Sequence, residues 1–147
     1  MSVICPPNQH QYCGVAACAV FAEPDDSESV RRCFADANDK ANEFLYRRVD
    51  LEDAALALIN ALFACEKRGF GRNVISATTP FQRQHLVALR INPSAVTAAL
   101  FPDFTAIYGA ASYRMFSDID WVFVSRWARE ALDWLPQYDF GRVLTQI

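Results

Sequence analysis

The sequence predicts a mixed α/β fold that is rich in helix, with a small sheet and several short helices. Three observations support this prediction. Residues 50–67 repeat apolar side chains at helical spacing. Two short segments, 46–49 and 73–77, have the length of strands. After residue 79, pairs of a capping residue and a proline mark the starts of short helices.

The strongest helix signal lies between Asp50 and Gly69. Asp50 is a suitable N-cap, and Gly69 is a suitable C-terminal stop. The apolar residues that recur on one face of this helix are Leu51, Ala54, Ala55, Leu58, Ile59, Leu62 and Phe63. We therefore expect the helix 51–67 to pack this face on a sheet built from 46–49 and 73–76.

Further helices are predicted on both sides of this one. Residues 28–45 place their apolar side chains on one helical face. A capping box at residues 79–82 and the pair Asn92-Pro93 predict two helix starts downstream. The downstream helices are expected over residues 80–90, 93–101, 102–111 and 125–132, followed by a final amphipathic turn from Asp139 and preceded by an extended or strand segment at 121–124.

Length and composition describe one globular unit. The 147 residues match the size of a single domain and allow a sizeable core. The chain is 52% hydrophobic and 21% charged, which is typical of globular proteins and not of disordered ones. We interpret residues 1–26 as an irregular N-terminal segment with at most one strand, and 27–147 as a single domain.

Charge and cysteine content exclude several functional classes. A net charge of −3 argues against nucleic-acid and anionic-membrane binding. No apolar run approaches the ~18 residues of a membrane span, and the run 13–21 lacks the preceding basic residues of a secretory signal. The five cysteines are odd in number and lack C-x-x-C spacing, so reduced thiols in a cytoplasmic protein are expected.

The usual catalytic and metal-binding motifs are missing from the sequence. Gly69-Phe70-Gly71 leads into a strand, whereas a dinucleotide-binding turn opens a helix, so we interpret it as a tight turn. Cys5, His10, Cys13 and Cys18 could supply zinc ligands, but their spacing matches no knuckle or ribbon pattern, and we expect no metal.

Three patches of polar or aromatic residues are candidates for a binding site. The first is residues 46–50, with Arg47 and Arg48; the second is Tyr113-Arg114 together with Asp118 and Asp120. The third is aromatic and consists of Trp127, Trp134, Tyr138 and Phe140. The simpler alternatives are surface ion pairs for the arginines, which contribute little to stability, and core packing for the tryptophans.

Four sequence blocks follow one another along the chain. They are residues 46–53 (YRRVDLED) before an Ala/Leu-rich helix, 71–81 (GRNVISATTPF), 115–120 (MFSDID) and 128–136 (AREALDWLP). In this order they resemble the C-terminal half of the extended short-chain dehydrogenases/reductases, the NAD-dependent epimerase/dehydratase family. The last block is similar to that family's A-x-x-x-L-G-W-x-P signature. The resemblance runs from about Asn38 to the end of the chain.

The resemblance implies a lobe that closes over a substrate, often a nucleotide-sugar. The family's first half is a Rossmann domain with a glycine-rich turn and a Tyr-x-x-x-Lys catalytic pair. Lysine occurs here only at Lys40 and Lys67, and the residues four positions earlier are Asp36 and Phe63, so no such pair exists. We therefore expect no catalytic residues and no cofactor, with NAD or NADP bound only if a separate Rossmann domain is supplied.

Five residues are expected to bind the substrate. They are Arg47, Arg48, Tyr113, Arg114 and Asp118. By the resemblance, Arg114 and Asp118 lie near positions at which relatives hold phosphate or ribose groups. The chain departs from the family's pattern with Glu43, whose carboxylate would repel a pyrophosphate, with Asp133 in place of a glycine, and with Trp121 in place of a polar residue.

Three functional hypotheses remain open at the level of sequence. The first is a truncated, epimerase/dehydratase-like lobe that binds a nucleotide-sugar or other small polar ligand without turnover of its own. The second is a homodimeric protein-interaction module. The third is one half of a split enzyme whose Rossmann domain belongs to a partner chain. The mass of the native protein separates the second from the first, and co-purified nucleotide favours the third.

Overall fold

The computed structural model describes residues 2–4, 12–17, 28–68 and 71–147. The strands are β1 (Ser2–Ile4), β2 (Tyr12–Ala17) and β3 (Gly71–Ile75). The helices are α1 (Glu28–Cys33), α2 (Asp36–Glu43), α3 (Leu51–Arg68), α4 (Leu86–Leu89), α5 (Pro93–Leu100), α6 (Phe104–Ala110), α7 (Arg126–Leu132) and α8 (Phe140–Leu144). The described residues are thus rich in helix with one small sheet, as the sequence predicts for a mixed α/β chain.

The sheet has the order β1-β2-β3 and contains both kinds of strand pairing. β1 and β2 are antiparallel, with Val3 opposite Cys13. β2 and β3 are parallel, with Val15 opposite Asn73. Parallel neighbours require a long crossover connection, and α3 lies in the connection between these two strands.

The strand prediction at 46–49 is wrong, and with it the predicted sheet. These residues form a turn because the carbonyl of Glu43, at the end of α2, accepts the backbone N–H groups of Tyr46, Arg47 and Arg48. A single bridge connects this turn to the residues after β3, where the Ala77 N–H donates to the Arg48 carbonyl at 2.8 Å. β3 pairs instead with β2, which lies in the segment that we expected to be irregular.

The long helix is confirmed as α3, but its buried face differs from the predicted one. The residues that pack toward the sheet and α7 are small: Ala54, Ala57, Ala61 and Cys65. They meet Ile75, Ala128, Leu132 and Trp134, with Leu58 at the edge of this first core. Small side chains let a helix approach its neighbours closely, so the alanine stripe faces inward. Of the predicted face, Leu51, Ala55, Ile59, Leu62 and Phe63 are exposed.

A second core lies among the short helices and is aromatic. Its buried members are Leu45, Phe81, Leu89, Phe104, Tyr108, Ile119, Phe140 and Leu144. Phe101 meets Phe140 edge to face, with ring centroids 5.1 Å apart. The Ile119 N–H donates to the Leu89 carbonyl at 3.0 Å, which attaches the 113–125 segment to this core.

The predicted helix over 28–45 is interrupted after residue 33. Ala35 has extended backbone (φ −65°, ψ 143°), and α2 begins after it. Phe34, at the break, packs edge to face on Phe116 at 4.9 Å between ring centroids. This distant aromatic contact is a reason for the break that periodicity alone does not reveal.

The caps predicted for the short helices are partly confirmed. Asn92 accepts a hydrogen bond from the Ala95 N–H at 3.0 Å, as predicted. Asp139, expected only to start a final amphipathic turn, also caps α8 by accepting the Arg142 N–H at 3.0 Å. The capping box expected at 79–82 forms instead between Gln82 and His85, and the helix expected over 80–90 is a 3-10 turn (Arg83–His85) followed by α4. The Thr79 hydroxyl donates to the Leu45 carbonyl and accepts the Phe81 N–H. Residues 121–124 form no strand.

In the described part of the chain, none of the helices combines the length and apolarity needed to cross a membrane.

Candidate functional site

A cleft of about 700 Å³ lies between the α1–α2 region and the segment 114–121. Residues 33, 34, 39, 46 and 47 form one wall, and 114–121 form the other. Three of the residues expected to bind substrate, Arg47, Arg114 and Asp118, line this cleft. Residues that are distant in sequence therefore meet at one site.

Two asparagines of α2 hold the two walls together. Asn38 donates its amide to the Arg114 carbonyl and accepts the Arg114 N–H, both at 2.8 Å. Asn42 donates to the same carbonyl at 2.9 Å and accepts a hydrogen bond from the Tyr108 hydroxyl at 3.0 Å. Both asparagines are buried, so they fix the backbone of Arg114 relative to α2. Neither asparagine was predicted from the sequence, because the partner of both is the backbone of a residue more than 70 positions away.

The guanidinium group of Arg114 projects into the cleft from this fixed backbone. It donates to the Cys33 carbonyl and lies over the Phe34 ring, 5.5 Å from the centroid. A guanidinium has five N–H donors, and the contact with Cys33 uses one nitrogen of the group. The side chain is exposed, so the group can contact a ligand while remaining oriented by Phe34 and Cys33.

Arg47 and Arg48 share one buried carboxylate. Glu43 is almost fully buried; its Oε1 pairs with Arg47, and its Oε2 accepts from Arg48 Nη2 and Nε at 2.8 Å each. Arg47 also lies over the Tyr46 ring at 5.5 Å and lines the cleft, whereas Arg48 is buried. Glu43 was expected to repel a pyrophosphate, but here two arginines compensate its charge.

The acidic residues on the opposite wall also have partners. Asp118 accepts a hydrogen bond from the Ser117 hydroxyl at 2.7 Å. Asp120 pairs with Arg90 at 3.2 Å, and both side chains are mostly exposed. Surface pairs of this kind contribute little to stability. Because its side chain is exposed, Asp120 is accessible to solvent and to a ligand in the cleft.

Tyr113 and Arg48 do not line the cleft, although the sequence placed them in the site. Tyr113 packs edge to face on Tyr108, with centroids 5.6 Å apart. Burial raises the pKa of Tyr108 far above its usual range, with Tyr113 adding to the shift, so the Tyr108 hydroxyl stays protonated and donates to Asn42. Tyr113 and Tyr108 therefore pack behind the cleft, where Tyr108 is bonded to Asn42.

A second polar cluster joins the start of α3 to the loop 134–138. The carboxylate of Asp53 accepts the backbone N–H groups of Gln137 and Tyr138 at 2.8 and 2.9 Å. The Trp134 indole donates to the Asp53 carbonyl at 3.0 Å. Burial raises the pKa of Asp53, and the two backbone donors oppose this shift. The cluster is a structural clamp on the C-terminal loop and lies outside the cleft lining.

The aromatic patch proposed from the sequence divides between core and surface. Trp134 and Phe140 are buried in the two cores, as the simpler alternative expects. Trp127 is 68% exposed beneath the Arg126 guanidinium. Tyr138 lies below Arg142 at 4.1 Å and donates to Glu52 at 2.8 Å, a hydrogen bond that raises the pKa of Tyr138.

The residues described contain no group of three or more His, Cys, Asp or Glu side chains arranged to hold a metal ion. Cys5, His10 and Cys18 lie outside the described residues, and so does the Gly69-Phe70 part of the proposed tight turn. The hypotheses about these residues therefore stay predictions.

Comparisons with protein-family models, with curated proteins and with solved structures found no match for this chain. The similarity to epimerases and dehydratases thus rests on the four sequence blocks alone.

Proposed function

We propose that this chain is an epimerase/dehydratase-like substrate-binding lobe that holds a small polar ligand in the cleft and performs no hydride transfer on its own. The observation that carries this proposal is the meeting of Arg47, Arg114 and Asp118 in one cleft. Two separate sequence patches supply these residues. Surface ion pairs placed at random along a chain have no reason to converge in this way.

The chemistry of the cleft suits an anionic ligand with hydroxyl groups. The planar guanidinium of Arg114 matches phosphate and carboxylate geometry; the two asparagines of α2 fix its backbone, and Cys33 and Phe34 orient the group itself. The Ser117 hydroxyl and the Asp118 carboxylate lie on the same wall and can bond sugar hydroxyls. A nucleotide-sugar combines both features and is the first probe to use.

The test is binding of UDP-glucose by the full 147-residue chain, measured by calorimetry and by thermal unfolding. We expect the melting temperature to rise with UDP-glucose concentration, because a ligand that binds only the native state stabilises it. Arg114→Ala should weaken binding about 10- to 100-fold, since a hydrogen bond to a charged group contributes about 1.5–3 kcal/mol.

Arg142→Ala is the matched control for this experiment. Arg142 is likewise an exposed arginine stacked on an aromatic ring, that of Tyr138, but it lies outside the cleft lining. Its loss should leave UDP-glucose binding unchanged. A melting temperature that does not respond to millimolar UDP-glucose, or equal losses in the two variants, would contradict the proposed ligand.

A second candidate function is a protein-interaction module, and the exposed face of α3 favours it. Leu51, Ile59, Leu62 and Phe63 project outward from this helix with 46–71% of their surface exposed. Monomeric proteins rarely expose contiguous apolar patches of this kind. The partner would be a second copy of the chain or a chain that carries a Rossmann domain, in which case the two together would form a split NAD-dependent enzyme.

Cofactor binding distinguishes a lobe that lacks a cofactor site from a chain that binds NADH or NADPH by itself. Because the sequence has no glycine-rich turn and no Tyr-x-x-x-Lys pair, we expect the isolated chain not to bind NADH or NADPH. A titration followed by nicotinamide fluorescence measures this directly. Saturable micromolar binding would contradict a lobe that lacks its own cofactor site.

A further inference from the structure

We infer that the ligand of the cleft carries a planar aromatic ring beside its anionic group, and that Trp121 is the residue that selects for this ring. This inference rests on the proposed ligand-binding function and narrows its substrate class. It concerns the apolar part of the ligand, whereas the proposed function concerns the polar part.

The cleft contains a continuous series of aromatic side chains that joins its two walls. Phe34 meets Phe116 edge to face at 4.9 Å, Phe116 meets Tyr46 at 6.2 Å, and Tyr46 meets Trp121 at 5.3 Å between ring centroids. All four rings line the cleft. Each contact has an interplanar angle between 72° and 81°, which is the favourable edge-to-face geometry. The rings therefore support one another's orientation across the site.

Two of these rings already hold a cation. The Arg114 guanidinium lies over Phe34, and the Arg47 guanidinium lies over Tyr46, each 5.5 Å from the ring centroid. The anion-binding groups of the cleft thus rest on the aromatic series itself. A ligand whose negative group meets Arg114 or Arg47 is placed directly beside the remaining rings.

Trp121 is the ring best placed to receive the apolar part of such a ligand. It is 45% exposed although it contacts both Tyr46 and Phe123, whose ring centroid is 4.8 Å away. A large aromatic side chain that lines a cleft and is held by two other rings presents a rigid, flat surface. About half of the Trp121 surface is left open by these two contacts, and an aromatic ring of the ligand gains aromatic pairing with it that a saturated ring does not.

Three aspartates, Asp39, Asp118 and Asp120, line the cleft together with the two arginines. Asp39 is buried, Asp120 is paired with Arg90, and Asp118 accepts a hydrogen bond from the neutral Ser117 hydroxyl. Glu43, beneath the cleft, is compensated by two arginines. Arg114 differs from these aspartates because two asparagines fix its backbone and Cys33 and Phe34 orient its exposed guanidinium, so we expect the anionic group of the ligand there.

The experiment compares phenyl phosphate with cyclohexyl phosphate, which has the same charge and a similar size but a saturated ring. Calorimetry on the full chain measures both affinities. We expect phenyl phosphate to bind about two- to tenfold more tightly, because offset or edge-to-face aromatic pairs gain about that much beyond the area they bury. The preference should disappear in Trp121→Leu and persist in Trp121→Phe, which keeps a ring at the position.

Trp127→Leu is the matched control, since Trp127 is an exposed tryptophan outside the cleft lining. Circular dichroism and the melting temperature establish that each variant is folded, and Trp121→Phe covers the case in which Trp121→Leu is not. Equal affinities for the two phosphates in the unaltered chain would overturn the inference and leave the proposed function standing. Failure of both phosphates to bind would overturn the inference as well, while the UDP-glucose titration judges the proposed function separately.

Discussion

At the C-terminal end of α7, Asp133 adopts the left-handed backbone conformation (φ 47°, ψ 49°). Glycine adopts this conformation freely, whereas an L-residue is strained by its Cβ atom. The family that the sequence resembles has glycine in this block, and the structure shows why glycine suits the position. The two carbonyls at this helix end, those of Leu132 and Asp133, both accept the Asn60 amide at 3.1 Å, which holds the turn in place.

Replacing Asp133 with glycine should therefore stabilise the protein. We expect Asp133→Gly to raise the free energy of unfolding by about 0.5–1 kcal/mol in urea denaturation. Asp133→Ala is the control, because it removes the carboxylate but keeps the Cβ atom. A gain of equal size in both variants would show that the carboxylate, and not the backbone, is the source of the effect.

Asp53 predicts a pH dependence of stability. Burial raises the pKa of Asp53 above 3.8, its ordinary value, in the folded protein. A group with a raised folded-state pKa contributes most below its unfolded pKa, and its contribution falls as pH rises through the folded pKa. We therefore expect the free energy of unfolding of the unaltered chain, measured relative to that of Asp53→Asn, to be greater near pH 3 than near pH 6.

Denaturation of both chains across this pH range measures the difference, and the carboxyl carbon of Asp53 can be titrated directly by NMR. The Asp53→Asn variant also identifies the resonance. An NMR midpoint below that of an exposed aspartate would contradict the prediction, because it would mean that the backbone N–H groups of Gln137 and Tyr138 outweigh burial.

At the scale of single residues, the sequence identified part of the cleft and missed the rest. Arg114 and Asp118 were predicted as members of one polar cluster and from the positions they hold in the family resemblance. Arg48 was misplaced because residues 46–49 were interpreted as a strand, in which neighbouring side chains alternate, whereas the turn sends Arg48 inward to Glu43. Asn38 and Asn42 gave no local signal, since their partner is the backbone of a residue more than 70 positions away.

Among the structural elements, α3 shows how a correct helix prediction can assign the wrong face. The helix has apolar side chains on both sides: a small-residue stripe and a row of large aliphatic and aromatic residues. Periodicity weighs the larger residues more heavily, but the close contact with α7 and the sheet selects alanine. Leu58 lies at the boundary between the two faces and is only partly buried.

This placement predicts unequal costs for two leucine truncations. Leu45 is fully buried in the aromatic core, so Leu45→Ala should lower the free energy of unfolding by about 2–5 kcal/mol. Leu58→Ala should cost clearly less, because its site is partly open and leaves a smaller cavity. Chemical denaturation of the two variants side by side gives the comparison. Equal losses would place Leu58 in a closed core and restore the face predicted from the sequence.

For the whole molecule, the exposed face of α3 predicts self-association. Two-fold dimers are the commonest closed assemblies, and the exposed apolar row of Ile59, Leu62 and Phe63 is a surface that a second copy would cover. We expect light scattering at micromolar concentration to give twice the 16.5-kDa mass of the chain. The double variant Ile59→Glu/Phe63→Glu should return the mass to that of one chain.

Val87→Glu/Ile91→Glu is the control for this experiment. Val87 and Ile91 are 73% and 75% exposed, so they match the α3 residues in exposure but lie around α4. The control should keep the dimer mass. A mass of one chain for the unaltered protein would contradict the interaction-module hypothesis and leave the ligand-binding lobe as the single proposal.

The sequence by itself determined the features that depend on neighbours within one helical turn. These are the long helix after Asp50, the cap at Asn92, and the predominance of short helices in the second half of the chain. Caps and apolar periodicity act over three or four residues, so they can be read locally.

Only the tertiary structure decided which segments meet. It paired β3 with β2, selected the alanine face of α3, and brought the arginines of two distant patches to one cleft. In each case several segments have similar strand propensity or apolar patterning. Burial and steric fit between residues far apart in sequence determine which of them pack together. A strand pattern or an apolar face indicates that a surface has to be buried. The free energy that favours one partner over another depends on the contacts between both surfaces, so it cannot be derived from one segment alone.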